Sequence, residues 1–154
     1  MKLYLVRHGD ASPADVDPER RLSADGRGQV GRLAAFLSER GIGVARVFHS
    51  GKPRAQETAA ALAAAVAPGA TPEALDGLSP NDPVEPLAEQ IAGWREDSLI
   101  AGHLPHLARL ASLLLTDRNL PTSFDFEPAA AACLERRDDG DAWSLVWFVG
   151  PSVL

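Results

Sequence analysis

The chain begins MKLYLVRHGD (residues 1–10), where a short apolar run meets an arginine, a histidine and a glycine. Residues 2–6 predict a buried strand, because the apolar run is brief and bounded by polar residues. Arg7, His8 and Gly9 then fall at the carboxyl end of that strand. In open α/β sheets this is the edge at which ligands bind. The tripeptide is therefore a candidate site, whose meaning depends on what the other strands place beside it.

The rest of the sequence alternates between strand and helix patterns. Strands are predicted at residues 2–6, 44–48, 72–75, 98–102, 130–136 and 143–149. Helices are predicted from an N-cap at Ser23 to a stop at Gly41, and at residues 53–66, 84–95 and 105–115, and residues 116–129 are predicted to be irregular. This β-α-β-α-β-α-β-α-β-β order predicts a three-layer α/β/α sandwich with a mainly parallel central sheet. The last two strands flank an Asp-Asp-Gly turn and predict a C-terminal antiparallel hairpin.

Composition narrows the classes of function. The chain has 154 residues, which predicts one domain, and a net charge of −6, which argues against general nucleic-acid binding. The single cysteine, Cys133, excludes an internal disulfide, and we expect it to be a small buried residue of a strand. No apolar stretch is long enough to span a bilayer, and the first apolar run stops at Arg7. We expect a cytoplasmic monomer without membrane contact.

Two further strand ends bear residues of the same kind as the first. The second strand is followed by His49-Ser50-Gly51 and then by Arg54, and the fourth ends in Gly102-His103. If these strands are neighbours, two histidines and two arginines share one crevice. Guanidinium and imidazole groups together suit a dianionic tetrahedral group such as phosphate. The combination predicts a phosphate-binding pocket.

The same residues could perform phosphoryl transfer. Arg7 and Arg54 can cover the equatorial oxygens of the transferring group, and neutral imidazole is a competent nucleophile. The nearby arginines disfavour a second positive charge, and so should keep His8 neutral near pH 7. A backbone carbonyl could accept from its other ring nitrogen and fix the tautomer. We hypothesise that His8 is transiently phosphorylated.

Simpler interpretations exist for each residue. Arg-His-Gly and Gly-His occur by chance, Arg54 alone would be a solvated helix residue, and His49 and His106 are expected to be structural. Zinc binding by the four histidines is the competing chemistry, and His103 and His106 lie three apart. However, no pair has the HExxH spacing, and two arginines would repel a cation. We therefore expect no metal and no cofactor.

Four stretches resemble one known family, the histidine phosphatase superfamily with its phosphoglycerate-mutase-like fold. LYLVRHGDA (3–11) resembles the first strand and nucleophile loop, and RRLSADGRGQV (20–30) resembles the start of the first helix. HSGKPRAQETA (49–59) resembles the second-arginine motif, and AGHLPHLARLASLLL (101–115) resembles the second-histidine motif. Within the family, the small SixA-like phosphohistidine phosphatases are most similar. The resemblance implies a single histidine phosphatase domain over residues 1–154.

The resemblance also implies roles for particular residues. His8 would be the nucleophile, Arg7 and Arg54 would bind the phosphoryl group, and His103 would complete the pocket. Arg20 matches a further phosphate-contacting arginine of the small subfamily. One departure is that the usual Ser-Pro after the second strand is Ser50-Gly51 here, with the proline two places later.

The sequence leaves alternatives open for the proton donor and for the role of Asp10. Larger relatives have a general acid in a loop or cap after the third strand, where this chain has only GLSPNDP (77–83). Asp82 is the candidate acid in that loop, and it could equally be a turn residue before Pro83. His103 or water could donate the proton instead. Asp10 could orient its neighbours, donate a proton or shape the loop.

The weak acid candidate favours a phosphoramidate substrate over an ester, since protonated imidazole leaves more easily than an alkoxide. No segment is long enough to form a lid domain, and an open pocket could admit a side chain of another protein. The leading hypothesis is a metal-independent phosphatase that acts on a phosphorylated protein, for example a histidine phosphotransfer domain. The alternatives are a phosphatase of a small phosphorylated metabolite and a non-catalytic phosphate-binding regulatory module.

Overall fold

The computed structural model describes residues 1–120 and 124–154 and contains one mixed β-sheet with helices on both faces. The strands of the described residues are β1 (Lys2–Arg7), β2 (Arg46–His49), β3 (Glu73–Ala74), β4 (Ser98–Gly102), β5 (Ala131–Arg136) and β6 (Trp143–Val149). The helices are α1 (Ala24–Glu39), α2 (Pro53–Val66), α3 (Glu85–Ala92) and α4 (His106–Thr116), followed by a 3₁₀ turn at Pro151–Val153.

The order of the strands in the sheet is β3-β2-β4-β1-β5-β6. The first four run parallel, β5 is antiparallel to β1, and β6 is antiparallel to β5. Val6 of β1 and His49 of β2 both pair with Ala101 of β4. The carboxyl ends of β1, β2 and β4 therefore lie side by side at one edge, as the sequence predicts. The mainly parallel sheet and the C-terminal antiparallel hairpin are confirmed.

Alternation along the strands divides the core between the two faces of the sheet. Tyr4 and Val6 of β1 pack on the side of α1 and α2, whereas Leu3 and Leu5 pack on the side of α3 and α4. Because both faces are covered, β1 is a continuous apolar run rather than an alternating one. The predicted three-layer sandwich is thus confirmed.

The helices that approach the carboxyl edge begin as their sequences predict. The hydroxyl of Ser23 accepts from the backbone N–H of Gly26 at 3.0 Å and caps α1. Pro53 occupies the first turn of α2, where its missing N–H costs nothing. Gly41, with a positive φ of 64°, ends the stretch after α1.

Two elements differ from their predicted bounds by two residues or more at one end. β2 begins two residues late, because the N–H of Val44 bonds to Val66 and that of Ala45 bonds to Asp97, outside the ladder. α3 ends at Ala92 rather than near residue 95, because the N–H of Gly93 turns back to Gln90 in the closing turn.

Three other predictions concern single features. Cys133 is buried in β5, as expected. The segment predicted to be irregular, residues 116–129, includes residues 121–123, which lie outside the described residues. Within residues 1–120 and 124–154, no helix is long and apolar enough to cross a membrane.

Candidate active site

The three strand ends bring the four predicted residues together. The backbone N–H of His8 donates to the carbonyl of Gly102 at 3.0 Å, which aligns the ends of β1 and β4. The imidazole rings of His8 and His103 then lie 4.9 Å apart, centroid to centroid. Arg54, in the first turn of α2, places its Nε 3.3 Å from His8 Nε2. The replacement of Ser-Pro by Ser50-Gly51 therefore does not prevent Arg54 from reaching the site.

Hydrogen bonds on both sides of the His8 ring define its tautomer. Nδ1 lies 2.7 Å from the carbonyl oxygen of Gly9, and a carbonyl can only accept, so Nδ1 holds the proton. Nε2 faces the Nε–H of Arg54, and a guanidinium can only donate, so Nε2 is unprotonated. The ring thus presents the lone pair of Nε2 to the site. The carbonyl acceptor expected from the sequence is the backbone of Gly9.

The surroundings of His8 also keep it neutral. Burial is the largest cause that lowers the pKa of His8, to about 4, and the charges of Arg54, Arg7 and Arg20 lower it further. The hydrogen bond to Gly9 acts in the opposite direction. From the sequence, only the nearby arginines were expected to lower the pKa of His8, whereas in the structure burial lowers it more than they do. Either way, the imidazole is uncharged at neutral pH.

His103 is almost completely buried beside His8, with 1% of its surface exposed. Burial, followed by the charges of His8 and Arg54, lowers the pKa of His103 to about 3. Its Nε2 shares a hydrogen bond of 2.6 Å with the hydroxyl of Ser50, which also accepts from the backbone N–H of Lys52 at 3.3 Å. No role for Ser50 is predicted from the sequence, although Ser50 lies in the second-arginine motif.

The guanidinium group of Arg7 is anchored by one nitrogen and has another nitrogen available to bind a ligand. One terminal nitrogen donates to the carbonyl of Phe126 at 2.7 Å. Its Nε is buried and has no hydrogen-bond partner among the described residues. Burial lowers the pKa of the guanidinium, and the charges of Asp125 and Asp10 raise it. A buried donor without a partner suits an anionic ligand. No pattern in the sequence could have indicated a backbone carbonyl as the anchor of Arg7.

Arg20 and Arg21, adjacent in sequence, have different surroundings. The positive charge of Arg20 lowers the pKa of both His8 and Arg54. Arg21 instead forms an ion pair with Glu19 at the surface. Arg20 has a φ of 50°, a conformation that residues other than glycine rarely adopt, and its Nε donates to the carbonyl of Ser12 at 3.3 Å. The structure therefore places Arg20, rather than Arg21, beside the pocket.

Asp10 joins the segment after His8 to the start of α1. Its carboxylate accepts from the hydroxyl of Ser23 at 2.7 Å, and its carbonyl accepts from the backbone N–H of Ser23 at 2.9 Å. A Cβ on Gly9 would lie 2.8 Å from the carbonyl oxygen of Gly26, so the missing side chain of Gly9 allows a close approach to α1. Of the roles left open for Asp10, these contacts favour orientation of its neighbours.

Asp82 lies in a turn near the second histidine motif. Its carboxylate accepts from the backbone N–H of Ser79 at 3.0 Å, and its own N–H donates to the carbonyl of Ser79 at 3.1 Å. This is the turn arrangement that the sequence left as an alternative to an acid. Burial lowers the pKa of His106, and the negative charge of Asp82 partly opposes this shift.

The remaining histidines occupy buried positions. His106 is fully buried, and His49 accepts from the backbone N–H of Gly51 at 3.0 Å through Nδ1. Burial lowers the pKa of both. Among residues 1–120 and 124–154, no group of three or more His, Cys, Asp or Glu side chains is placed to hold a metal ion.

The family of the chain follows from comparison with family models. Residues 3–80, just over half of the chain, match the model of the histidine phosphatase superfamily (branch 1). The chain belongs to the histidine phosphatase superfamily. The matched region contains the phosphate-pocket candidates Arg7, His8, Arg20 and Arg54. A comparison with curated proteins gives no significant match.

Solved structures with the same fold include phosphatases of several kinds. The protein histidine phosphatase SixA complexed with tungstate has 24% identity and a TM-score of 0.86, with 99% of each chain covered. A protein assigned as phosphohistidine phosphatase SixA from Agrobacterium tumefaciens has 24% identity and a TM-score of 0.76, with 97% of each chain covered. The mycobacterial glucosyl-3-phosphoglycerate phosphatase has 17% identity and a TM-score of 0.70, with 94% of this chain and 96% of that chain covered.

These similarities confirm the phosphoglycerate-mutase-like fold over almost the entire chain. Membership of the histidine phosphatase superfamily supports a phosphatase, that is, a hydrolase of phosphorylated compounds. The geometry is compatible with that chemistry, because a neutral imidazole and several guanidinium groups converge at one edge of the sheet.

Proposed function

We propose that this histidine phosphatase hydrolyses phosphohistidine on another protein, through a covalent phosphohistidine intermediate at His8. The observation that supports it most directly is the environment of the His8 ring. The Gly9 carbonyl accepts from Nδ1, and Nε2 keeps a lone pair that faces Arg54. A neutral imidazole held in one tautomer is a nucleophile that needs no further activation.

In the first step, the Nε–H of Arg54 would transfer its hydrogen bond from His8 Nε2 to an oxygen of the bound phosphoryl group. Nε2 would then attack phosphorus, and the bond from phosphorus to the substrate imidazole would break. The substrate nitrogen would take up a proton from solvent before or during the transfer, so that a neutral imidazole leaves. Arg7, Arg54 and Arg20 would bind the oxygens of the transferring group, and His103 would stabilise its charge. In the second step, water attacks phosphohistidine 8. Inorganic phosphate leaves, and His8 returns to its neutral form.

A phosphoramidate substrate is consistent with the position of Asp82. Its carboxylate is engaged in the turn with Ser79, so we propose a structural role for it rather than that of a general acid. Protonated imidazole is a good leaving group, and its departure requires less acid catalysis than that of an alkoxide. We therefore expect Asp82→Asn to reduce kcat for a phosphohistidine substrate by less than about threefold.

Among the structural neighbours, the two SixA proteins favour a protein substrate, and a histidine phosphotransfer domain would be a suitable partner. We further propose a single-domain, metal-independent cytoplasmic enzyme that acts as a monomer. The second candidate is a phosphatase of a small metabolite, because a glucosyl-3-phosphoglycerate phosphatase shares the fold.

A substrate panel in the presence of EDTA tests this proposal. We would compare kcat/KM for a phosphohistidine-containing phosphotransfer domain with that for phosphorylated sugars, phosphorylated amino acids and nucleotides. We expect the phosphorylated protein to be preferred by at least about a hundredfold, which corresponds to about 3 kcal/mol of transition-state stabilisation. A preference of similar size for one metabolite would support the second candidate. Complete loss of activity in EDTA would contradict metal independence.

A further inference from the structure

A buried hydroxyl group joins two segments of the site. Thr58 lies one turn after Arg54 in α2 and is completely buried. Its Oγ1 accepts from the backbone N–H of Gly9 at 3.2 Å and donates to the carbonyl of Arg54 at 2.8 Å. An N–H can only donate and a carbonyl can only accept, so the direction of both hydrogen bonds is fixed.

The two residues whose backbones are joined by Thr58 each form a hydrogen bond with the imidazole ring of His8. Gly9 supplies the carbonyl that accepts from His8 Nδ1, and Arg54 supplies the Nε–H that faces His8 Nε2. Each nitrogen of the His8 ring is thus oriented by a residue whose backbone is bonded to the same hydroxyl. The hydroxyl of Thr58 thus links the segment after β1 directly to the first turn of α2.

The two hydrogen bonds of the Thr58 hydroxyl differ in what they connect: one lies within α2, and the other joins α2 to the segment after β1. A threonine within a helix commonly donates to the carbonyl four residues earlier, as Thr58 does to Arg54. The acceptance from Gly9 is the contact that crosses to another element. Gly9 is meanwhile pressed against Gly26 and Val30 of α1, so its position is set from both sides. Packing alone would need only the shape of Thr58, whereas this contact needs its oxygen.

We propose that Thr58 is a positioning residue that sets the tautomer of His8 and its placement relative to Arg54. The inference rests on the proposed function in assigning the nucleophile to His8. It predicts that the hydroxyl matters more than the methyl group. A small displacement of the nucleophile is enough to slow a transfer that depends on alignment.

Four variants test this inference. Thr58→Val keeps the shape and removes the hydroxyl, Thr58→Ala removes both groups, and Thr58→Ser keeps the hydroxyl alone. Thr116→Val is the matched control, because Thr116 of α4 also donates to the carbonyl four residues earlier, that of Ser112, at 2.8 Å. For each variant we would measure kcat, KM, the melting temperature and the ¹⁵N NMR shifts of the His8 ring.

We expect Thr58→Val and Thr58→Ala to lower kcat at least about tenfold with little change in KM, and to give His8 a mixture of tautomers. Thr58→Ser and Thr116→Val should keep kcat within about threefold and a single His8 tautomer protonated at Nδ1. Wild-type His8 shifts in a folded valine or alanine variant would overturn the inference. So would a serine variant as impaired as the alanine variant.

The NMR measurement separates this inference from the proposed function. If the wild-type protein hydrolyses none of the substrates tested, the proposed function fails, but the His8 tautomer can still be compared between Thr58 and its variants. If Thr58→Val does not fold, the smaller alanine substitution gives the same comparison. An unchanged His8 tautomer in a folded variant that lacks the hydroxyl would contradict the positioning role, whatever the activity.

Discussion

At the scale of single residues, the site depends on groups held in one protonation state. The Gly9 carbonyl and the Arg54 guanidinium between them leave one tautomer for His8, and burial keeps the ring uncharged. His103 is neutral for the same reason, with its pKa lowered by burial to about 3. Two adjacent imidazoles can therefore coexist with several arginines, because neither adds positive charge at neutral pH.

The lowered pKa values give a pH dependence of stability. The unfolded chain binds protons at histidine below about pH 6.5. His8 and His103 resist protonation in the folded state until about pH 4 and about pH 3. The free energy of unfolding should therefore fall as the pH is lowered from 6.5 towards 4. We expect His103→Gln to show a shallower fall in melting temperature over this range. In NMR titrations, neither His8 nor His103 should titrate near pH 6.5, and a midpoint there for His8 would contradict the account.

The sequence predicts the main residues of the site because they follow strands. Arg7, His8 and His103 lie at strand ends, and Arg54 lies at a helix start. The positioning contacts are not predictable in the same way. Ser50 and Thr58 act through hydrogen bonds to segments distant in the chain, and a single sequence does not show which hydroxyl groups will meet which backbone.

At the scale of elements, the segment after β1 is pressed against the N-terminus of α1. Asp10 accepts from both the hydroxyl and the backbone N–H of Ser23. Gly26, in the first turn of α1, lies so close that a Cβ there would overlap the carbonyl oxygen of Asp10. The absence of a side chain at Gly26 allows α1 to pack directly against the segment that follows His8.

Alanine substitution on α1 tests this close approach. We expect Gly26→Ala to destabilise the protein by ~1–3 kcal/mol and to lower kcat, because the overlap must displace the segment that follows His8. Gly31→Ala is the control, because Gly31 lies on the same helix and a Cβ there meets no atom within 4 Å. That change should stabilise the protein by ~0.5–1 kcal/mol and leave kcat unchanged. Chemical denaturation and steady-state kinetics would measure both, and equal effects of the two substitutions would count against the contact.

The elements themselves are predicted to different degrees. The observed β4 has the predicted bounds, 98–102, because it is a short apolar run between polar residues. The predicted end of α3, near residue 95, was wrong, although the C-cap Gly93 is a helix-stop signal in the sequence. Trp94, beyond Ala92, stacks on Phe48 of β2 with ring centroids 4.8 Å apart. Glycine at position 93 is unfavourable within a helix, and this contact fixes the residue that follows it against the sheet.

At the scale of the whole molecule, one buried arginine lies at the edge of the sheet opposite the site. Arg136 ends β5, is 7% exposed, and donates to the carbonyls of Ala92 and Trp94 that follow α3. The N-terminal amine donates to its carbonyl at 3.0 Å. The beginning of the chain, the end of α3 and the end of β5 are thus held together at the end of the sheet opposite His8.

Replacing Arg136 should separate stability from activity. Arg136→Met removes the donors but keeps much of the side-chain volume, and the carbonyls of Ala92 and Trp94 would keep Arg95 as their side-chain donor. We expect a loss of ~1–2 kcal/mol in the free energy of unfolding, with kcat of the folded enzyme unchanged. Urea denaturation followed by activity at low temperature would measure the two effects. A large fall in kcat without loss of stability would show that this edge communicates with the site.

The central claim is that His8 accepts the phosphoryl group. We would mix the enzyme with a ³²P-labelled phosphohistidine protein, quench in alkali within milliseconds, and compare the wild type with His8→Ala. The account predicts an acid-labile, alkali-stable phosphoenzyme that maps to His8 in the wild type, and neither phosphoenzyme nor turnover in the variant. Near-normal turnover by His8→Ala, or wild-type turnover with no labelled His8 at any time, would contradict it.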